Sequence, residues 1–116
     1  LHEVESLDNA ELVVNQAEKC PANPVLPLGD YLAWDRQRAT PWAGSIFYDE
    51  DERIFKLWYF GGPGEEPHFT GIGYAWSEDG ISWHKPSLGL YPYRGSTDNN
   101  ICFQSPTGLQ LFIKNI

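Results

Sequence analysis

The segment from Ala33 to Trp42 carries a carboxylate, two arginines and two tryptophans within ten residues. The flat faces of Trp34 and Trp42, which flank Asp35 and Thr40 in sequence, could pack against the C–H-rich face of a sugar ring. Arg36 could offer a bidentate fork to a carboxylate or to sugar hydroxyls. Core packing is the alternative for both tryptophans, and a surface position is the alternative for Arg36.

Later in the chain, Asp98 begins an Asp-Asn-Asn run. Such a run is usually a turn, although its carboxylate and amides could also hydrogen-bond a glycan. Arg38 and Arg94 could offer the same bidentate fork as Arg36 to a carboxylate or to sugar hydroxyls, and a surface position is again the alternative. The residues predicted to bind substrate are Trp34, Trp42, Arg36 and Asp98.

Other polar residues have simpler interpretations. Asp79 precedes Gly80 and is predicted to shape a hairpin turn. The acidic run Asp49–Glu52 lacks the glycine-containing pattern of a calcium loop and is predicted to be a solvated hairpin tip. Cys20 and Cys102 have neither CxxC nor zinc-ligand spacing; they could form one disulfide, but two buried thiols are the simpler interpretation. No metal site and no cofactor is predicted.

Charge and composition exclude several partner classes. The 116 residues include 8 Lys and Arg against 16 Asp and Glu, a formal net charge of −8. Repulsion between this charge and phosphates argues against binding to nucleic acid or to an anionic membrane. Aromatic residues make up 15% of the chain and charged residues only 21%, which indicates a packed domain rather than a solvated tail.

No apolar stretch approaches the roughly 18 residues needed to span a bilayer, and the first residues do not resemble a signal peptide. We therefore expect a soluble protein, with the compartment left open. Because the chain begins at Leu1 and contains no Met, we expect that its ends are not those of a primary translation product.

Short apolar runs between glycine, proline and charged turns predict an all-β fold. Residues 1–42 are predicted to hold one strand, Glu11–Asn15, and a proline-rich connector. Residues 43–85 are predicted to form four antiparallel strands: Ala43–Tyr48, Ile54–Phe60, Gly71–Ser77 and Ile81–Lys85. Residues 86–116 are predicted to hold a connector and two strands of a further sheet, Ile101–Phe103 and Leu109–Ile113.

The predicted sheet is apolar on both faces. Side chains alternate along Ile54–Phe60, which places Trp58 on one face and Leu57 and Tyr59 on the other. Along Gly71–Ser77 every second residue is small, so something bulky must lie close against that face. Four strands in about 40 to 50 residues are typical of one β-propeller blade. We expect one blade and part of a second, completed by a longer polypeptide or by further copies of the chain.

Two stretches carry a resemblance to a known family. Ser45–Phe60 has an aromatic strand after a Tyr-Asp turn. Ile72–Pro86 is a second hairpin, in which Gly, Ala, Ser, Asp, Trp and Pro follow one another in that order. The sequence thereby resembles the five-bladed β-propeller glycosidases, which include the invertase or β-fructosidase group and the arabinanase and xylosidase group. Asn23–Leu26 and Ser96–Ile101 also fit this family, so the resemblance covers roughly Asn23 to Phe103.

The resemblance implies a glycoside hydrolase. Such enzymes place two carboxylates across the glycosidic bond, and a third steadies the oxocarbenium-like transition state. In the family, an Asp followed by Pro begins the innermost strand of the first blade, whereas Thr40 precedes Pro41 in this chain. Asp35 is the nearest replacement as the catalytic base. The other carboxylates would lie in later blades, beyond Ile116 or at best near Asp98.

Three hypotheses about function follow. The first is the N-terminal part of a glycoside hydrolase of five blades, with substrate near Trp34, Asp35, Thr40 and Trp42. The second is a non-catalytic glycan-binding or assembly module, in which Thr40 marks the loss of the catalytic base. The third is a structural β-protein without a ligand. Carbohydrate is the expected partner in the first two.

Overall fold

The computed structural model describes residues 6, 8–64 and 70–105, with the side chains of 42–45, 70 and 105 outside that description. The strands are β1 (Arg38–Asp49), β2 (Ile54–Gly62), β3 (Thr70–Ser77) and β4 (Ile101–Ser105). They form one antiparallel sheet in the order β1-β2-β3-β4, so the all-β prediction is confirmed. Within the described ranges, no helix is long and apolar enough to cross a membrane.

The two faces of the sheet differ in what lies on them. Leu57 and Tyr59 of β2 are buried on one face, which we call the covered face. Trp58 lies between them in sequence and is half-buried on the opposite face, which we call the aromatic face. The alternation predicted for β2 is therefore confirmed, since neighbouring side chains of a strand point to opposite faces.

The indole of Trp34 lies on the glycines of the covered face. A Cβ added to Gly73 would lie 2.6 Å from Cζ2 of Trp34 and 2.7 Å from Cζ of Tyr59, and one added to Gly71 would lie 3.0 Å from Cζ3 of Trp34. Trp34 is therefore the bulky group predicted to lie against the small residues of β3. It forms the core with Leu57, Tyr59, Ala75 and Ile101.

The aromatic face carries a row of rings across β1, β2 and β3. Trp58 stacks on Phe47 at 5.5 Å between ring centroids and contacts Tyr74 at 5.2 Å. Further along β3, Trp76 stacks on His84 at 4.4 Å. These rings cover one another only in part, because Phe47 is exposed and Trp58, Tyr74 and Trp76 are half-buried.

The β1–β2 pairing is interrupted by a bulge. Pro41 pairs with Tyr59 and Ile46 pairs with Leu57, so residues 42–45 of β1 face a single residue of β2. Pro41 has no amide to donate, which is tolerated because β1 is an edge strand of this sheet. The bulge thus separates the end of β1 near the connector from its end at the hairpin tip.

The acidic hairpin tip between β1 and β2 forms ion pairs with a lysine of β2. Asp49 accepts hydrogen bonds from the backbone amides of Asp51 and Glu52, and Lys56 lies 2.8 Å from the carboxylates of both Asp49 and Glu52. The hydrogen bond from Lys56 lowers the pKa of Asp49. The acidic run therefore shapes the turn and binds Lys56.

The fourth strand of the sheet is not the predicted one. Of the predicted strand Ile81–Lys85, only His84 pairs with β3, through an isolated bridge to Trp76. Pro86 follows and cannot donate to a ladder, so the pairing ends there. The rest of this edge of β3 pairs with β4. Ile101–Phe103, predicted to begin a further sheet, therefore belongs to this one.

The predicted N-terminal strand is also wrong. Glu11–Asn15 has no strand assignment, and Val14 is 78% exposed. β-branched residues favour strands only where a neighbouring strand supplies pairing and packing. The predicted strand Leu109–Ile113 lies outside the described residues.

Asp79 organises the turn after β3. Its Oδ1 atom accepts hydrogen bonds from the backbone amides of Ser82 at 2.7 Å and Ile81 at 2.8 Å, and from the hydroxyl of Ser77 at 3.0 Å. Gly80 adopts a φ of 74°, which glycine tolerates best. The predicted structural role of Asp79 in a turn is therefore confirmed.

We predict that Asp79 titrates far below an ordinary aspartate. The backbone hydrogen bonds from Ser82 and Ile81 lower its pKa from 3.8 to about 2. Because the folded pKa is depressed, ionised Asp79 stabilises the turn above the ordinary pKa, and this contribution is lost as the pH falls through about 2. The ¹³C shift of its carboxyl, followed by NMR from pH 6 to 1.5, measures the midpoint. A midpoint near 3.8 would contradict these hydrogen bonds.

We also predict that Gly73→Ala destabilises the protein. The added methyl would meet the rigid rings of Trp34 and Tyr59, and overpacking of this kind costs about 1–3 kcal/mol. Urea denaturation measures the change in the free energy of unfolding. A double-mutant cycle with Trp34→Leu supplies the control: the cost of Gly73→Ala should shrink when the indole is gone. Equal costs in both backgrounds would show that the indole contributes nothing to the cost of Gly73→Ala and that Tyr59 alone accounts for it.

Candidate functional site

The connector before β1 crosses the covered face and buries two of the predicted site residues. A turn precedes them, in which Ala33 donates its amide to the carbonyl of Asp30 at 3.0 Å. Trp34 is then 3% exposed and Asp35 is 2% exposed. A buried carboxylate requires partners, because an unpaired charge is costly away from water.

The carboxylate of Asp35 has two side-chain partners. Its Oδ2 atom accepts a hydrogen bond from the hydroxyl of Tyr59 at 2.8 Å and lies 2.6 Å from Nζ of Lys85. Lys85 also donates to the carbonyl of Pro27 at 2.7 Å, and its Nζ lies 5.5 Å from the centre of the Tyr59 ring. Asp35 and Lys85 thus fix the connector on the sheet.

Asn100 joins this ion pair to the indole of Trp34. Its Oδ1 atom accepts a hydrogen bond from Nε1 of Trp34 at 2.8 Å. Its Nδ2 group donates to the hydroxyl of Tyr59 at 2.7 Å and to the carbonyl of Tyr74 at 2.8 Å. Every donor and acceptor of the Asn100 side chain is therefore engaged except for one lone pair of its oxygen.

Tyr59 is the link between the two halves of the network. Its hydroxyl accepts from Asn100 and donates to Asp35. Burial and the charge of Asp35 raise the pKa of Tyr59, so the phenol remains protonated and able to donate. The chain of contacts from Trp34 through Asn100, Tyr59 and Asp35 to Lys85 is called the buried network below.

Two of the other predicted site residues, Arg36 and Thr40, lie outside the buried network. Arg36 donates to the carbonyls of Pro63 at 3.2 Å and Tyr31 at 3.1 Å, and so holds two loops together. Thr40 is exposed on β1, opposite Phe60. The side chain of Trp42 lies outside the described residues. Catalytic roles for Asp35 and Thr40 stay predictions.

An open pocket of about 460 Å³ lies beside the buried network. It brings together Trp34 and Asp98, two of the four residues predicted to bind substrate. Its lining consists of Leu32, Ala33, Trp34, Tyr93, Arg94, Ser96, Asp98 and Asn99. The first three come from the connector and the others from the loop before β4, so the pocket lies between two segments distant in sequence.

A tight turn shapes one wall of the pocket. Tyr93 and Ser96 exchange backbone hydrogen bonds of 2.8 Å and 3.1 Å, with Arg94 and Gly95 between them at φ values of 50° and 80°. Two positive φ values in a two-residue loop are typical of a type I′ turn. The guanidinium of Arg94 lies 5.5 Å from the centre of the Tyr93 ring. Asn99 fixes this loop by donating to the carbonyls of Tyr91 and Ser96.

Sequence reasoning missed several of these residues. Tyr59 and Lys85 were not expected as partners of Asp35, since they follow it by 24 and 50 positions. Tyr93 and Ser96 were not expected in a pocket. The pattern Tyr-Arg-Gly-Ser, with a glycine suited to positive φ, is the local signal that could have indicated a tight turn there.

We predict that Lys85→Met destabilises the protein strongly. Removal of one partner from a buried ion pair leaves the charge of Asp35 uncompensated, which typically costs about 3–5 kcal/mol. Replacement of both partners, in Asp35→Leu with Lys85→Met, should cost less than the single change. Urea denaturation measures the free energies of unfolding, with exposed Lys19→Met as the matched control. If Lys85→Met behaved like Lys19→Met, the buried ion pair would be refuted.

Comparison with family models, curated proteins and solved structures found no match to this chain. Inference about its function therefore depends on the residues of the chain and on their geometry.

Proposed function

We propose that the chain is part of a carbohydrate-active β-propeller protein and that the open pocket binds a sugar. The observation that carries this proposal is the meeting of Trp34 and Asp98 in one pocket with Tyr93 and Arg94. A sugar ring offers C–H groups on its faces and hydroxyls at its edge. The pocket has aromatic and aliphatic side chains together with charged and amide groups, which suits both parts of such a ring.

The shape of the pocket supports a small ligand. Sites for small molecules typically have volumes of about 300–1,000 Å³ and are mostly apolar, with a few polar groups that fix orientation. The pocket volume of about 460 Å³ falls within this range. Trp34 is 3% exposed and its Nε1 donates to Asn100, so it contributes only a small part of its ring to the pocket wall, and Tyr93 is the more exposed aromatic side chain there.

The propeller assignment is supported by the sheet itself. Four antiparallel strands that follow one another in sequence and in space form the pattern of a blade. The aromatic face leaves Phe47 exposed and Trp58 half-buried, as expected of a sheet that packs against a neighbouring one. A further sheet would come from the same polypeptide or from another copy of the chain.

Binding is better supported than hydrolysis. A glycosidase needs two carboxylates across the scissile bond. Among the described residues, Asp98 is the carboxylate that lines the pocket, while Asp35 is buried against Lys85 and Tyr59. Hydrolysis, which the family resemblance implies, would therefore need a second carboxylate from another part of the protein.

We predict that Asp98→Ala weakens sugar binding about tenfold or more. Carboxylates accept hydrogen bonds from hydroxyls, and a hydrogen bond to a charged group contributes about 1.5–3 kcal/mol. Glucose, galactose, xylose, arabinose and fructose would each be titrated into the protein by isothermal calorimetry. NMR should show the amides of residues 93–99 shifting with the bound sugar. Asp51→Ala, which removes an exposed carboxylate at the hairpin tip, should leave the affinity unchanged.

The same samples separate the proposed roles. Sugar binding without turnover of the corresponding aryl glycosides would favour the binding module, and turnover would favour the hydrolase. If none of the sugars shifted the amides of residues 93–99, the proposed function of the pocket would be wrong.

A further inference from the structure

Two opposite charges line the open pocket without binding each other. Arg94 and Asp98 have no ion-pair partner among the described residues. The guanidinium of Arg94 lies over the ring of Tyr93, and the backbone amide of Asp98 donates to the hydroxyl of Ser96. In a chain of net charge −8, an arginine that lines a pocket without a carboxylate partner is left available to a ligand.

The turn holds Arg94 in place. Arg94 adopts a φ of 50°, a conformation that residues other than glycine rarely adopt. The two backbone hydrogen bonds between Tyr93 and Ser96 keep the backbone there, and the guanidinium lies over the Tyr93 ring at 5.5 Å. This contact restricts an exposed side chain, so less entropy is lost when the guanidinium binds a ligand.

The chemistry of the two groups defines a ligand. The planar fork of a guanidinium matches a carboxylate in a bidentate arrangement. The carboxylate of Asp98 accepts hydrogen bonds from hydroxyl groups. One class of sugar carries both complements, a carboxylate and vicinal hydroxyls on the same ring. Resting on the proposed function, we propose that the pocket selects a uronic acid residue, with Arg94 on its carboxylate and Asp98 on its hydroxyls.

A carboxylate is favoured over a phosphate as the anion. A phosphate carries nearly two negative charges at neutral pH, whereas a carboxylate carries one. The pocket has one arginine and one aspartate among its lining residues, and the chain as a whole is acidic. Repulsion from Asp98 and from the net charge therefore grows with the charge of the ligand.

Paired sugars test this specificity. Galacturonate would be compared with galactose, and glucuronate with glucose, by calorimetric titration of the protein at pH 7. Each pair differs only in whether carbon 6 is a carboxylate or an alcohol. We expect the acid to bind about tenfold tighter, a ratio equivalent to about 1.4 kcal/mol. The ratio should fall as salt is added, since the exposed charges are screened. Galactose 6-phosphate serves as the phosphate arm and should bind more weakly than galacturonate.

Variants of Arg94 identify the group responsible. Arg94→Gln should abolish the preference for the acid, so that galacturonate and galactose bind with equal affinity, because the charged pair contributes only to the acid. Arg94→Lys keeps the charge without the fork and should retain part of the preference. Arg53→Gln is the matched control, since Arg53 is also exposed and has a φ of 58°, but lies at the hairpin tip.

Each outcome bears on a different claim. Equal affinity for acid and neutral sugar, lost in Asp98→Ala, would overturn the uronate specificity and leave the proposed function standing. Tighter binding of galactose 6-phosphate than of galacturonate would reject the carboxylate as the anion recognised. A preference for the acid that survived Arg94→Gln would reject the role of Arg94, provided that circular dichroism shows the variant to be folded. Absence of binding by every sugar would overturn the proposed function and the specificity with it.

Discussion

The packing of the Trp34 indole on the glycines of the covered face is the contact on which the rest of the structure depends. An indole can approach a sheet this closely only where side chains are missing, and Gly61, Gly71 and Gly73 leave that space. Once the ring is there, its Nε1 group is buried and must find an acceptor, which Asn100 supplies at 2.8 Å. The glycines of β2 and β3 thereby determine where the connector lies and where β4 begins.

The buried network explains why the segment after the Asp79 turn leaves the sheet. His84 pairs with Trp76 and stacks on it, so the side chain of His84 lies on the aromatic face. Alternation then directs Lys85 to the covered face, where it reaches Asp35 and the carbonyl of Pro27. A longer strand at this edge would compete with β4 for the same groups of β3. The ion pair therefore holds the connector on the covered face at the place where Pro86 ends the pairing of this segment with β3.

Local pattern predicted the parts of the fold that depend on neighbours in sequence. The alternation of β2, the small face of β3 and the turn role of Asp79 are all expressed within a few residues, and all three predictions are confirmed. The pairing of β4 with this edge of the sheet could not be predicted in the same way, because the sequence pattern of Ile101–Phe103 is the same whichever strand it pairs with. The hydrogen bond from Trp34 to Asn100 favours the position that β4 adopts beside β3, and Trp34 precedes Asn100 by 66 positions.

The candidate site was likewise predictable where it depends on residue type and unpredictable where it depends on contacts distant in sequence. Side-chain type alone identified Trp34 and Asp98 as residues suited to a sugar, and the pocket contains both. It could not indicate that Asp35, next to Trp34, would be buried by Lys85 and Tyr59, since those contacts form only after the connector has docked. For Trp34, core packing and substrate binding were alternatives. In the structure it packs in the core and also lines the pocket.

Two neighbouring asparagines hold the loop of the pocket and the tryptophan of the core, and this has a thermodynamic consequence. Asn99 fixes the loop that carries Arg94, and its neighbour Asn100 holds Trp34, so two adjacent amides position both walls of the pocket. The proposed ligand, bound between these walls, would contact the connector and the loop before β4 at the same time. Because such a ligand would bind only when both are docked on the sheet, its binding free energy would add to the stability of that docking. The hydrogen bond between Trp34 and Asn100 would then couple ligand binding to folding.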